Sequence, residues 1–395
     1  METKKYFIST VTVGIGNTGG YILNLVFFLL AARFLVLEDF GIFRYFVAVG
    51  MILYNSLFAG VFTTMSRLIG EGKHKNVPEN VAIFAAQVFC FSIPIMFWVG
   101  GFSLILIALS FFISQFIYSW LRGMRMYIQL SIYFIITNGF RIILLGSLAV
   151  FPPNVLIFSV FYLLAAILPL PLTIPRRFWR LSECHIQISQ LKKILRFSAP
   201  LYVSSIAYIL VMQLDAVFVR AYLSTSELAY YMSAKTLMAV FMFAPSAVGT
   251  VILPETAKDK QLKKNLCLGL GLTSSISLFL ALIFYAFPDE IMHIFYPEAY
   301  LPAAFLLPVL STAMMLFAIS DVFASTWTGF GKPIYEGFVL GVTALVNFAL
   351  LYFLVPSLGT PGAAISLTVA CGIAVLLWGT LTFLTLRRMR VRGGM

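Results

Sequence analysis

The chain has 395 residues, 61% of them hydrophobic and only 11% charged, with a net charge of +12 and a mean hydropathy of +0.97. That balance excludes a soluble protein: repeated apolar runs of about 20 residues are bilayer-crossing helices, whereas barrel strands alternate over only about ten. The positive charge is spread over short segments between apolar runs, as in a membrane protein with basic inner loops, so no nucleic-acid partner is expected.

In chain order, Lys4 and Lys5 precede a first apolar run to about Leu37. It is too long for a signal peptide and is expected to stay as an uncleaved helix. Its glycines Gly14, Gly16, Gly19 and Gly20 admit a close helix neighbour. Arg33 lies near the outer end and Glu38-Asp39 form the turn. Helix two runs from about Phe40 to Met65 with Arg44 inside it, and a polar loop follows. Helices three (about 80–100) and four (about 102–121) are separated only by Gly100-Gly101. After Arg122 and Arg125, helix five (about 127–150) carries Arg141, and helix six ends near Ile174.

The longest polar segment, Pro175 to Ser198, holds six Lys and Arg. Its ISQLKKILRF stretch has the apolar spacing of an amphipathic helix lying on the membrane surface. Helices seven and eight fill Ala199 to Lys258 around a polar turn, Ser224-Thr225-Ser226-Glu227, and contain Asp215 and Lys235. Helix nine spans about 265–287, an acidic and aromatic turn runs from Pro288 to Tyr300, and helix ten (about 301–325) carries Asp321. Gly331-Lys332-Pro333 leads into helix eleven, which ends near Val355. Helix twelve covers about 362–386, before the basic tail Arg387, Arg388, Arg390 and Arg392.

The expected fold is therefore all-α and polytopic, with twelve transmembrane helices in two six-helix lobes, 1–174 and 199–395, joined by a basic linker, 175–198, around a central cavity. With both termini inside, all but five of the 27 Lys and Arg fall on the cytoplasmic side, the alternation that the positive-inside rule demands. An ungapped shift of 188 positions sets Leu35 on Leu223, Phe40 on Leu228, Phe43 on Tyr231 and Met65 on Leu253. The shift spans six helices, an even number of crossings, so the halves are parallel repeats, an arrangement that suits alternating access by rocking.

The five cations left inside helices or at their outer ends are Arg33, Arg44, Arg141, Arg220 and Lys235. Intramembrane charge is costly and marks function or pairing. Asp215 and Lys235 lie at similar depth, roughly 15 Å below the turn that joins their helices, so they are either a structural ion pair or part of a substrate or ion path. Arg33 and Arg220 can snorkel to the interface, and Arg44 can serve helix pairing. Arg141 and Lys235 are too deep to snorkel and are the stronger candidates to line a cavity. Few acids oppose these cations, chiefly Asp215 and Asp321, and an excess of buried cations suits an anionic ligand such as a pyrophosphate. Tyr230 and Tyr231 read as interfacial belt anchors.

Four scattered cysteines without a C-x-x-C pair and three loop histidines imply no metal site and no disulfide framework. Gly331-Lys332 lacks the upstream glycine of a phosphate loop. No cofactor and no enzymatic activity are expected.

Several stretches resemble the polysaccharide-transport branch of the multidrug/oligosaccharidyl-lipid/polysaccharide (MOP) exporter superfamily. They are Pro200 with Asp215 and Glu227-x-x-Tyr230-Tyr231-x-x-Ala234, Arg33-Phe34-Leu35 with Glu38-Asp39-Phe40-Gly41, Gly331-Lys332-Pro333, and Pro356-Ser357-Leu358-Gly359 with Gly362-Ala363-Ala364. The resemblance runs essentially end to end. It implies an O-antigen-type flippase, multi-pass in the cytoplasmic membrane, that moves a polyprenyl-pyrophosphate-linked oligosaccharide. Arg33, Arg44, Arg141 and Lys235 would receive the pyrophosphate, and Asp215 or Asp321 would serve as a proton or sodium site or, for Asp215, as a pair for Lys235. Membrane lipids are the other expected partner, and a monomer is expected. The chain is short for the family and lacks the two extra helices of the peptidoglycan-precursor flippases, which argues against that assignment. A multidrug antiporter of the same superfamily favours an acid-rich cavity, and a membrane glycosyltransferase or polymerase would need a large external loop or a catalytic acid cluster.

Overall fold

The computed structural model describes residues 2–72, 77–174, 188–246, 248, 262–332 and 334–392. Among them every regular element is helical, and the chain folds as two compact units, Met1–Ile209 and Leu210–Met395. The first unit holds α1 (Glu2–Phe34), α2 (Leu37–Gly70), α3 (Val77–Gly123), α4 (Tyr127–Leu144), α5 (Val155–Ile167), the short α6 (Leu170–Thr173) and the leading part of α7 (Ile188–Tyr222). Here α2 lies along α3, α1 along α4 and α3 along α5. The glycines of α1 explain one of these contacts. A Cβ on Gly16 would stand 2.4 Å from Ser131 Cβ, and one on Gly20 would stand 2.1 Å from the Phe134 ring, so α4 approaches at a distance only glycine allows.

The second unit holds α8 (Thr225–Leu237), α9 (Leu262–Ala286), α10 (Pro288–Phe295), α11 (Leu306–Gly329), α12 (Ile334–Leu358) and α13 (Thr360–Arg392). In it α11 packs on α9 and α13, and α12 on α13. Trp327 and Trp378 are buried between them, each indole N–H donating to a hydroxyl, Thr382 Oγ1 at 3.2 Å and Ser320 Oγ at 3.1 Å. A buried indole needs such a partner.

Ten helices among the described residues are long and apolar enough to cross a membrane. Large apolar side chains cover their outward faces, with Phe91 84% and Trp98 87% exposed. In water such a surface would aggregate, so this is a multi-pass membrane protein.

The expected count of twelve is approximate, for two local reasons. The helical run of α3 is two spans: Gly101 sits at φ 61, ψ −154, and the rings of Phe89 and Phe112 lie 5.8 Å apart. A straight helix would separate them by about 34 Å, so the chain reverses at Gly101. That backbone region is open essentially to glycine alone. Gly101→Ala should therefore cost about 1–3 kcal/mol, read as a lower melting temperature in detergent, and an unchanged melt would contradict the hairpin. The expected helix eight, in turn, is α-helical from Thr225 to Leu237, passes through a 3-10 stretch, Met238–Met242, and is helical again over 243–246. The end of that span and its basic loop (249–261) lie outside the described residues, as do residues 175–187 of the expected linker.

The stretch 188–197 is helical but is not a separate surface helix. It continues without interruption into α7. Ile194 is buried in one cluster with Phe58, Phe62 and Leu104 of α2 and α3, and that packing holds it to the unit.

Candidate functional site

The turn between α7 and α8 is set by Ser224, whose Oγ accepts from the Glu227 N–H at 3.2 Å. Glu227 in turn accepts from Thr360 Oγ1 at the start of α13, at 3.3 Å. This fixes the rotation of α8, on which Tyr231 and Lys235 are four residues apart and share a face. Both meet Asp215 of α7, which is fully buried. Tyr231 OH donates to Asp215 Oδ2 at 2.6 Å. Lys235 Nζ donates to Oδ1 at 2.6 Å and Oδ2 at 2.5 Å, and also to the Met212 carbonyl. The three ammonium protons and both carboxylate oxygens are thus engaged within one hairpin.

The offset of 188 shows what this triad replaces. It sets Phe27 on Asp215, Phe43 on Tyr231 and Val47 on Lys235. In the first unit those three are buried, with the Phe27 and Phe43 rings 6.2 Å apart. Packing the hairpin does not itself demand polar groups at these positions.

In the first unit the cations behave differently from one another. Arg141 of α4 is only 6% exposed. Its Nη1 donates to Asn24 Oδ1 at 2.9 Å and to Asn138 Oδ1 at 3.0 Å, and the guanidinium lies 3.6 Å from the centroid of Tyr162. No carboxylate pairs with it among the described residues, and its buried Nε bonds to nothing there. Arg44, half-buried, lies 4.0 Å over the ring of Phe28. Phe28 and Tyr162 are neighbours at 6.5 Å in a block with Phe27, Phe43 and Phe158. Two arginines therefore cap one aromatic block, whose ring faces attract their charge.

The structure so brings Asp215 to Lys235, and Arg44 to the same aromatic block as Arg141. It does not bring Arg33 to either, since Arg33 is exposed in the last turn of α1. Asp321 stands apart on α11, half-buried and close enough to Glu336 of α12 for their charges to act on each other. Glu336 accepts from Thr328 Oγ1 at 2.8 Å. The belt reading of Tyr231 is corrected: it is fully buried because its hydroxyl bonds Asp215. The i, i+4 spacing of Tyr231 and Lys235 was the available signal. Asn138, three residues before Arg141, was a similar one, whereas Asn24 and Tyr162 come from other helices and left no local trace.

The fold defines the class. It superposes on the inward closed conformation of the lipid II flippase MurJ with a TM-score of 0.77 at 16% identity, over 93% of this chain and 86% of that one. It also matches an inward-facing multidrug resistance MATE family transporter of the MOP superfamily (TM-score 0.67, 16% identity, 96% and 99% coverage). A third match is a MOP superfamily transporter from Pyrococcus furiosus, whose binding pocket of reverse polarity suggests a different function (TM-score 0.63, 16% identity, 97% and 96% coverage). The chain thus shares the fold of these MOP superfamily structures. It belongs to the family described as Polysaccharide biosynthesis protein, whose model matches residues 102–305, just over half its length. No curated protein sequence matches it.

Proposed function

We propose that this protein flips a polyprenyl-pyrophosphate-linked oligosaccharide from the inner to the outer leaflet of the cytoplasmic membrane. It works as a monomer, by alternating access between lobes 1–174 and 199–395, with both termini in the cytoplasm. The observation that carries the reading is Arg141, a guanidinium buried in a spanning helix with no carboxylate partner among the described residues and one N–H left open. A cation kept in that state at such cost suits a transient anionic partner, and an arginine edge matches phosphate oxygens. Membership of a polysaccharide biosynthesis family and a fold shared with a lipid II flippase support the same substrate class. Arg44, on the same aromatic block, is the second pyrophosphate ligand. Asp321, beside Glu336, is the site for a coupling proton or sodium ion, because the Asp215 carboxylate is already engaged by Lys235 and Tyr231.

The test is reconstitution. Proteoliposomes holding the full chain and a labelled polyprenyl-pyrophosphate oligosaccharide should transfer the head group to the opposite leaflet, where an impermeant enzyme can reach it. Vesicles that leave the lipid in place but exchange a cationic dye for protons would overturn the reading in favour of a multidrug antiporter.

A further inference from the structure

Two adjoining cavities of about 230 and 280 Å³ open in the first unit and share Thr63, Ser66 and Arg122. They form one cleft along α2 and the second arm of α3, and together they reach the ~300–1,000 Å³ typical of small-molecule sites. None of the buried charges discussed above lines it. Its lining has two distinct parts.

One end is basic, bordered by Arg67, Arg122 and Arg125. Two of these are committed: Arg67 Nε bonds Glu71 Oε1 at 2.8 Å, and Arg125 Nη2 donates to the Gly70 carbonyl at 3.3 Å. Arg122 is exposed, and its side chain makes no hydrogen bond or ion pair among the described residues. It borders both cavities, so it stands where they meet. The other part is rich in hydrogen-bonding groups with spare capacity. Asn55 spends its Nδ2 on the Met51 carbonyl at 2.9 Å, leaving Oδ1 open. The Gln115 amide and the hydroxyls of Tyr54 and Tyr118 bond to no described residue. An acyl chain would leave those groups unpaired, whereas a hydroxyl-rich ring would satisfy them. Tyrosine rings beside amides also offer apolar faces and polar edges together.

We propose that this cleft receives the sugar-phosphate head group of the lipid-linked substrate before translocation, with Arg122 on the phosphate and Asn55, Gln115, Tyr54 and Tyr118 on sugar hydroxyls. The proposal rests on the flippase reading and adds to it a loading site distinct from Arg141. The charge alternation of the loops puts the Arg122 end at the cytoplasmic face, where such a substrate is made available.

The test measures equilibrium binding to the purified full chain with two probes, inorganic pyrophosphate and a farnesyl-pyrophosphate-linked N-acetylglucosamine. Arg122→Ala should weaken both by about tenfold or more, the loss of one charge-assisted contact set, and Arg122→Lys by less. Gln115→Leu should weaken only the sugar-bearing probe. Arg122 is exposed and its side chain is unpaired among the described residues, so its variants should melt as wild type does. Wild-type affinity of Arg122→Ala for both probes overturns the proposal. So does phosphatidylglycerol displacing the sugar probe as well as the unlabelled probe does, since the cleft would then be a general phospholipid site. Arg122-dependent binding without transport in proteoliposomes keeps the cleft as a site and removes the flippase reading, and transport with Arg122-independent binding does the reverse.

Discussion

Lys235→Ala should destabilise the second unit by roughly 3–5 kcal/mol, the usual effect of stranding one partner of a buried ion pair. The residue left behind is Asp215, fully buried, with both oxygens facing the vacated ammonium and only Tyr231 and a backbone N–H still donating to it. The Met212 carbonyl loses its extra donor as well. A triple variant, Asp215→Leu with Tyr231→Phe and Lys235→Met, should by contrast melt within about 1–2 kcal/mol of wild type, because apolar replacements of buried pairs are often neutral. This chain contains its own precedent: Phe27, Phe43 and Val47 fill the corresponding positions of the other hairpin. Thermal unfolding in detergent checks both expectations. A triple variant as damaged as Lys235→Ala would mean the hairpin needs the polar triad for packing. A triple variant that folds yet no longer moves lipid would assign Asp215 and Lys235 to transport.

Much of this was legible because bilayer physics leaves little choice of structure. Lipid forces helices, helices need about 20 apolar residues, and loop charge sets their alternation, so composition and spacing reach the fold directly. Gly100-Gly101 marked a reversal that even continuous helical geometry on both sides does not hide. What stayed illegible was partnership. Depth along the helices put Asp215 and Lys235 at one level, but not that Tyr231 would complete the set. It marked Arg141 as costly, but not that Asn24 and Tyr162, from other helices, would hold it. The cleft at Arg122 was hidden for a different reason. Arg122 and Arg125 read as ordinary inner-loop charges, and only packing of α2 against α3 shows that the side chain of one of them lacks a partner among the described residues.

Arg141→Ala should lower the flipping rate by about ten- to a hundredfold, the equivalent of roughly 1.5–3 kcal/mol for hydrogen bonds to a charged group. Its burial determines which quantity should change. At 6% exposure the guanidinium is closed off in this conformation, so a phosphate reaches its open Nε only once the helices around it have moved. Its contribution then falls on an intermediate or transition state of translocation rather than on initial capture, and resting-state binding of the pyrophosphate probe should be nearly unchanged. Arg122, exposed and uncommitted, should show the opposite pattern, with binding lost at any rate of transport. Alanine at 141 also leaves the Asn24 and Asn138 oxygens without their donor, so part of any loss could come from misfolding. Arg141→Lys separates the two effects. It keeps the charge and one donor for the asparagines but loses the planar edge, so it should fold near wild type and still flip slowly. Full transport by a well-folded Arg141→Ala protein would remove this arginine from the path and leave it as a cap on the Tyr162 ring.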